Sequence, residues 1–320
     1  MNQEFTQNLA TAVAADWQVA TPPDEWAGCT DSDFDKVRSV LLQFTREWSE
    51  ECITERECSF GRITEYLIGA FPSVPDRQQV KVLVPGAGLG RLVVDLVKEG
   101  FTTQGNEFSY HMLLASNFIL NHTYVAHHYS IFPFLHKFSH TAKRNSQLRP
   151  VTVPDFRVGD VSELNRTYPD IPVGDLMSMT AGSFVDLYGP PGLALSETYS
   201  ADATAASFRT ENAASWDVVA TCFFLDTAAN VIDYVRSIHY CLRAGGTWVN
   251  FGPLLWHHED DEEDTDKGLE LSCEDLLELV VSMGFEFIKH ENGIETTYGC
   301  DSRSLGKWVY ECEFWVCKKM

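Results

Sequence analysis

Three glycines at alternate positions, Gly86, Gly88 and Gly90, follow the short apolar run Lys81–Gly86 (KVLVPG) and precede a helical pattern over Leu89–Glu99. No other feature of the chain restricts its fold as much. A strand that runs into closely spaced glycines must turn sharply, because glycine enters backbone conformations closed to other residues. The helix that follows opens with N–H groups that have no partner within the helix, which favours a carboxylate or phosphate there. The segment therefore predicts a strand, a ligand-binding turn and a helix. Taken alone, the same spacing also occurs as a plain tight turn.

The alternation then repeats. Thr103–Glu107 reads as a second strand, Ser109–Asn121 as a helix and Leu176–Ala181 as a third strand. Trp216–Leu225 (WDVVATCFFL) is a nearly continuous apolar run, suited to a central strand buried on both faces. Val231–Leu242 is helical, Thr247–Phe251 extended, Cys273–Met283 helical, and Phe285–Lys289 and Tyr310–Cys317 close the chain as strands. Strand followed by helix, repeated, predicts a mostly parallel sheet with helices on both faces, and residues 76–320 as one α/β domain.

The chain before this domain is different. Residues 1–30 are polar and end in TPPDEW, and they read as a weakly ordered lead-in. Residues 31–75 read as a helical N-terminal cap. In it Phe34, Val37, Val40, Leu41, Phe44 and Trp48 recur at helical spacing, with Ser32 or Asp33 as the cap and a second helix over Ile63–Phe71. Residues 122–175 read as irregular, with a basic stretch at Lys143, Arg144 and Arg149. Residues 189–214 are rich in small and turn-forming residues and read as a flexible insertion.

Charge narrows the partners. The formal net charge is −22, part of it in the run Glu259–Asp266, and such a field repels nucleic acid and anionic membranes. A small or cationic substrate suits it better. No window reaches the roughly 18 apolar residues of a membrane span, and nine cysteines without a CxxC pair fit reduced thiols. A soluble protein of the cytoplasm or nucleus is expected.

Glu107 gives the glycines a chemical meaning. It ends the second strand about 20 residues after them, where a carboxylate accepts both hydroxyls of a ribose. The spacing GxGxG, lacking the GxGxxG of pyrophosphate binders, points to a nucleoside cofactor without pyrophosphate. S-adenosylmethionine is such a cofactor.

The strings QFTREWSEE, VPGAGLGR, QGNEFSYHMLLASNFILN, ATCFFLDTAANVIDY and NFGPLLWH, with YEC near the end, resemble the carnosine N-methyltransferase family over roughly residues 33–320, the insertion apart. The resemblance implies a Rossmann-like class I methyltransferase fold with a helical N-terminal part. Its sheet has seven strands, mostly parallel, with an antiparallel C-terminal strand. It implies methyl transfer from S-adenosylmethionine to an imidazole nitrogen of carnosine, giving anserine, with histidine in proteins as an alternative acceptor. It also implies that Gln43 and Arg46 hold the methionine end of the cofactor, and that Gly86, Gly88 and Glu107 serve the turn and the ribose. An arginine can pair with the cofactor carboxylate, and positions i and i+3 share a helical face. One position departs from the family. Its Ala-Gly-Asp-Phe at the adenine is Ala181-Gly182-Ser183-Phe184 here, so Phe184 can stack, Ser183 replaces the carboxylate, and Asp186 is a candidate substitute.

For the acceptor, Asp226 follows the apolar strand and His257 the next one, which puts both on the carboxyl edge of the sheet, where open α/β sheets bind ligands. The resemblance implies that Asp226, His257 and Tyr310 contact the dipeptide, with Trp308 where members carry tyrosine. Either Asp226 or His257 could orient the imidazole. A non-catalytic module that keeps the fold is a third reading, resting on Ser183. His122, His127, His128, His136 and His140 form a histidine-rich stretch that reads as a solvated or substrate-flanking loop, and no metal is expected.

Overall fold

Strand β1 (Lys81–Pro85) occupies the middle of the sheet, with β2 (Thr102–Glu107) and then β5 (Met177–Ala181) on one side. On the other side lie β6 (Trp216–Cys222), β7 (Leu242–Gly252), β9 (Tyr310–Lys319) and, at the edge, β8 (Phe285–Thr296). The inner pairings are parallel, and β9 runs antiparallel to both β7 and β8. The seven-stranded, mostly parallel sheet with an antiparallel last strand is as expected from the sequence. The structure, a computed structural model, describes residues 2–158, 173–196, 198–199, 203–258 and 268–320. The acidic run 259–266 lies outside the described residues.

Successive side chains of a strand face opposite ways, and both faces of β1 are covered. Val82 and Val84 join one buried cluster with Phe44, Trp48, Leu92 and Phe118. Leu83 joins the other with Trp216, Val219, Trp248 and Leu276. This is why the strand reads as an unbroken apolar run.

The N-terminal part departs from expectation in several places. Residues 2–16 form helix α1 (Asn2–Asp16) where a weakly ordered lead-in was read. Phe5 anchors it, packing edge-on against Phe44, Phe118 and Tyr129 at centroid distances of 5.0, 5.7 and 5.2 Å. Val13 and Ala14 are buried with it, and Leu9 and Ala12 pack against the same core. Helix α2 (Asp31–Trp48) is capped by Thr30 through a capping box with Asp33, so the cap lies ahead of the Ser32 or Asp33 expected. Phe34 and Val37 stand exposed at its start, and burial begins at Val40. Its last turns are buried all round, with Gln43, Thr45, Arg46 and Glu47 inside alongside Phe44 and Trp48. Helix α3 (Arg62–Ala70) follows.

Two further segments are more ordered than their composition suggests. Within 122–175, β3 (Tyr129–Ile131) and β4 (Val151–Val153) pair as a short antiparallel ribbon. Within 189–214, residues 203–211 form a helix (Ala203–Glu211). Its Arg209 is buried and donates to the carbonyls of Asp186 (2.7 Å), Val185 (2.9 Å) and Leu193 (2.8 Å). That arginine satisfies carbonyls at the end of the helix Phe184–Tyr188, and so ties down a stretch that reads as flexible.

Candidate active site

The turn after β1 has the geometry that its glycines require. Gly86, Gly88 and Gly90 have φ of +65°, +56° and +83°, values that L side chains rarely adopt. A Cβ on Gly86 would lie 2.6 Å from the Phe224 ring, and one on Gly88 would lie 2.5 Å from the Glu47 carboxylate. Helix α4 (Arg91–Lys98) starts at once after the turn.

The Glu107 carboxylate folds back under this turn. Oε2 accepts from the Gly88 N–H (2.9 Å), and Oε1 accepts from the N–H groups of Phe108 (2.9 Å) and Ser109 (2.8 Å). Oε1 is filled by its two donors and Oε2 has room for one more, so the group is oriented and still able to take a hydroxyl.

Arg46 comes from the buried end of α2. It is 3% exposed, and its Nε donates to Glu55 Oε1 at 3.0 Å. Its guanidinium lies over Tyr298 at 4.2 Å, and within 5.0 and 5.3 Å of the Phe60 and Phe223 rings. Nη2 is buried without a hydrogen-bond partner among the described residues. An unpaired guanidinium nitrogen is costly to bury, and a carboxylate beside it would remove the cost. Gln43, one turn earlier, donates to Glu47 and accepts from the Tyr298 hydroxyl at 3.1 Å.

These groups line one cavity of about 590 Å³, together with Ser183, Phe184, Phe224, Tyr234 and His257. Ser183 caps the short helix Phe184–Tyr188, its Oγ accepting from the Asp186 N–H at 3.3 Å. Phe184 packs edge-on against Phe224 and Tyr234, whose own rings stack at 4.6 Å. Asp186 does not stand in for the missing adenine carboxylate. Both its oxygens accept from Ser196, at 2.8 Å each, in the loop behind the helix.

The residues that the resemblance assigns to the acceptor divide. His257 lies on the wall of the large cavity, its backbone N–H on the Asp226 carbonyl (3.0 Å). The Asp226 side chain is buried, and its Oδ2 accepts from the Leu255 N–H at 2.9 Å, holding the loop that carries His257. Burial pushes this carboxyl above its ordinary range, against the pull of the Leu255 N–H and of His257. Tyr310 is pushed up by burial first and by the Asp226 charge second. Tyr310 and Trp308, with ring centroids 6.3 Å apart, line a second cavity of about 200 Å³. Tyr298 is shared by the walls of both cavities. Trp308 is 70% exposed, a rim residue.

Sequence reasoning passed over four residues. Glu47, Glu55 and Tyr298 hold Gln43 and Arg46 in place. Phe223, at φ +52°, is a bulky residue in the left-handed region at the mouth of β6, with its ring between Tyr298 (5.0 Å) and Tyr310 (6.0 Å). Glu47 sits in the string QFTREWSEE, one residue after Arg46, and its place four residues after Gln43 was the available signal. The histidine-rich stretch is dispersed: His122 pairs with Asp16 (2.7 Å), His127 with Thr152 (3.2 Å). No group of three or more His, Cys, Asp or Glu side chains converges among the described residues.

The profile described as carnosine N-methyltransferase matches residues 23–320. The chain belongs to the carnosine N-methyltransferase family. A carnosine N-methyltransferase of Schizosaccharomyces pombe is 39% identical, over 88% of this chain and 70% of the relative. That of Mus musculus is 37% identical, over 90% of this chain. The Drosophila melanogaster protein "Carnosine N-methyltransferase unmet" is also 37% identical, over 89% of this chain. The chain spans less than two thirds of these last two, 64% of the mouse protein and 55% of the fly protein. The cofactor of this family's site is S-adenosylmethionine, and the glycine turn, Glu107 and the unpaired Arg46 nitrogen fit its nucleoside and its carboxylate. Among the described residues no helix is long and apolar enough to cross a membrane.

Proposed function

We propose that this chain transfers the methyl group of S-adenosylmethionine to an imidazole nitrogen of a histidine-containing dipeptide such as carnosine, giving anserine. The observation that carries this reading is the shared wall. The glycine turn, Glu107 and Arg46 line the same cavity that His257 borders, and the buried Asp226 side chain holds the loop that carries His257.

When bound, S-adenosylmethionine supplies a methyl group on a positively charged sulfur, which is a good leaving group. Gln43 and Arg46 hold its amino-acid end, Glu107 the ribose hydroxyls, and Ser183 and Phe184 the adenine. A neutral imidazole nitrogen is already nucleophilic, so the protein needs to supply alignment and the right tautomer more than acid–base power. In this reading Asp226 accepts the N–H of one ring nitrogen, which leaves the lone pair of the other directed at the methyl group. The same carboxylate offsets the charge that grows on the ring during transfer. His257, Tyr310 and Trp308 bound the space for the rest of the dipeptide. His257 in the orienting role, with Asp226 on the substrate amino group, is the alternative assignment.

The test is to incubate the protein with S-adenosylmethionine and carnosine, and to identify methylhistidine and the nitrogen that carries it by mass spectrometry. Methyl transfer to proteins alone would move the reading to a protein-histidine methyltransferase. Absence of turnover on both classes, with S-adenosylhomocysteine bound, would leave a binding module.

A further inference from the structure

Glu47 performs a task that nothing in the family resemblance assigns. Its side chain is buried beneath the glycine turn, with Oε1 accepting from the Leu89 N–H (3.2 Å) and from Gln43 Nε2, and Oε2 accepting from the Arg91 N–H (3.2 Å). The Arg91 N–H opens α4, the helix of Arg91–Lys98, and the Leu89 N–H lies in the glycine turn just ahead of it. In dinucleotide-binding sheets the corresponding helix end takes the pyrophosphate. Here the chain has filled that place with a carboxylate of its own.

Two further contacts fix the carboxylate there. The Arg91 guanidinium donates to the Glu47 carbonyl (2.7 Å), which pins the backbone of α2 to the start of α4. A Cβ on Gly88 would meet Glu47 Oε1 at 2.5 Å, so the turn is wrapped tightly around the side chain. Glu47 also lines the large cavity, between Gln43 and Arg46 on the same helical turn and Gly88 on the loop.

We propose that Glu47 is the cofactor-selecting residue of this site: its carboxylate occupies the anion position at the start of α4, excludes phosphate-bearing nucleotides, and admits a nucleoside whose tail carries an ammonium and a carboxylate. A diphosphate entering the cavity would meet Glu47 where it needs free N–H groups, and like charges repel strongly in so dry a place. The amino-acid tail of S-adenosylmethionine brings an ammonium that suits the same carboxylate. The proposal rests on the cofactor reading given above.

The test compares two ligands that share adenine and ribose and differ in the tail, S-adenosylhomocysteine and ADP, by calorimetry on the full chain and on Glu47→Gln and Glu47→Ala. The unaltered protein binds S-adenosylhomocysteine and takes ADP far more weakly. In both variants the ratio of the ADP to the S-adenosylhomocysteine dissociation constant falls by about tenfold or more, the scale of restoring an anion to a helix N-terminus. A merely structural role would weaken both ligands together and leave that ratio unmoved, which overturns the proposal. Glu47→Gln is nearly isosteric and carries the test if the alanine variant does not fold. If the unaltered protein binds ADP as well as S-adenosylhomocysteine, the selection argument fails while the cofactor reading stands. If it binds no S-adenosylhomocysteine at all, the cofactor reading fails and takes this inference with it.

Discussion

Arg46→Lys isolates the most distinctive feature of the cofactor cleft, a buried guanidinium nitrogen without a partner. Lysine keeps the charge and much of the stem but loses the planar fork. The scaffold around it should survive, because Glu55 keeps the Gly299 N–H (2.9 Å to Oε2) and the Thr297 hydroxyl (2.9 Å) after the Nε bond is gone. What disappears is the second arm, Nη2, buried without a partner and assigned to the cofactor carboxylate in the proposed function. A hydrogen bond to a charged group contributes about 1.5–3 kcal/mol, which corresponds to roughly 10- to 150-fold in dissociation constant. Calorimetry should therefore show S-adenosylhomocysteine weakened by that factor. The companion ligand is 5′-methylthioadenosine, which has the same nucleoside and no amino-acid tail, and its affinity should change by no more than about twofold, inside the spread expected for a contact it never makes. Equal loss for both ligands would refute the reasoning and make Arg46 a packing residue. No loss for either would put the tail of the cofactor elsewhere.

Three further outcomes are expected. Gly88→Ala places a side chain at φ +56° and 2.5 Å from Glu47, a conformation that costs about 1–2 kcal/mol before any clash, so S-adenosylhomocysteine affinity measured by calorimetry should fall about tenfold or more. Ser183→Asp restores a carboxylate beside the adenine, and because Asp186 is engaged by Ser196, S-adenosylhomocysteine should bind more tightly; equal or weaker binding would mean a backbone group already serves that amine. Asp226→Asn should cut methyl transfer by about 10²–10³, the usual effect of losing one preorganised charge, with cofactor affinity near that of the parent. It should also raise stability in a pH-dependent way: the folded carboxyl holds its proton above the ordinary carboxylate value of 3.8, so the parent loses stability as pH rises from about there through the folded value. The Asn variant has nothing to titrate, and the gap in melting temperature should widen between pH 4 and 7; a constant gap would mean that Asp226 is not held in a desolvated place.

The parts of the fold governed by local rules were legible in the sequence. Glycines at 86, 88 and 90 demand a turn, the run Trp216–Cys222 demands burial on both faces, and the parallel pairing of the inner strands follows from their alternation with helices. Where an element rests on one distant contact, the sequence is silent. Residues 203–211 depend on Arg209 finding carbonyls of another segment, which does not show in periodicity. The helix Asn2–Asp16 does carry Phe5, Leu9, Ala12 and Val13 at helical spacing, a signal masked by the small and polar residues between them. The exposed Phe34 and Val37 mark the opposite failure, since helical spacing places apolar residues on a face without saying how far along the helix the partner extends. In the site, Gln43 and Arg46 became visible only through the resemblance. A buried arginine in a charged, polar turn reads as a surface residue until its acidic partner is placed beside it, and Glu55 comes nine residues later on another element. Tyr298, whose hydroxyl completes Gln43, is more than 250 residues away in sequence.

That long separation says something about how the site works. Glu55 accepts from Arg46 on one side and from Thr297 and Gly299 on the other, so one buried carboxylate joins the N-terminal cap to the loop between β8 and β9. Asp155 does the same elsewhere, bridging Arg56 (2.6 Å) and Arg91 (2.8 Å), and so joining the cap to the helix that starts at the glycine turn. Buried ion pairs of this kind add little net stability compared with apolar packing, because the desolvation cost nearly offsets the attraction. Breaking one is costly all the same, since it strands the remaining charge. Such pairs therefore act as geometric fasteners more than as sources of stability. Gln43, Arg46 and Glu47 reach the glycine turn only if the end of α2 is seated correctly, and both fasteners bear on that seat. The cap is accordingly part of the proposed active site, and its position is fixed by the loop between β8 and β9.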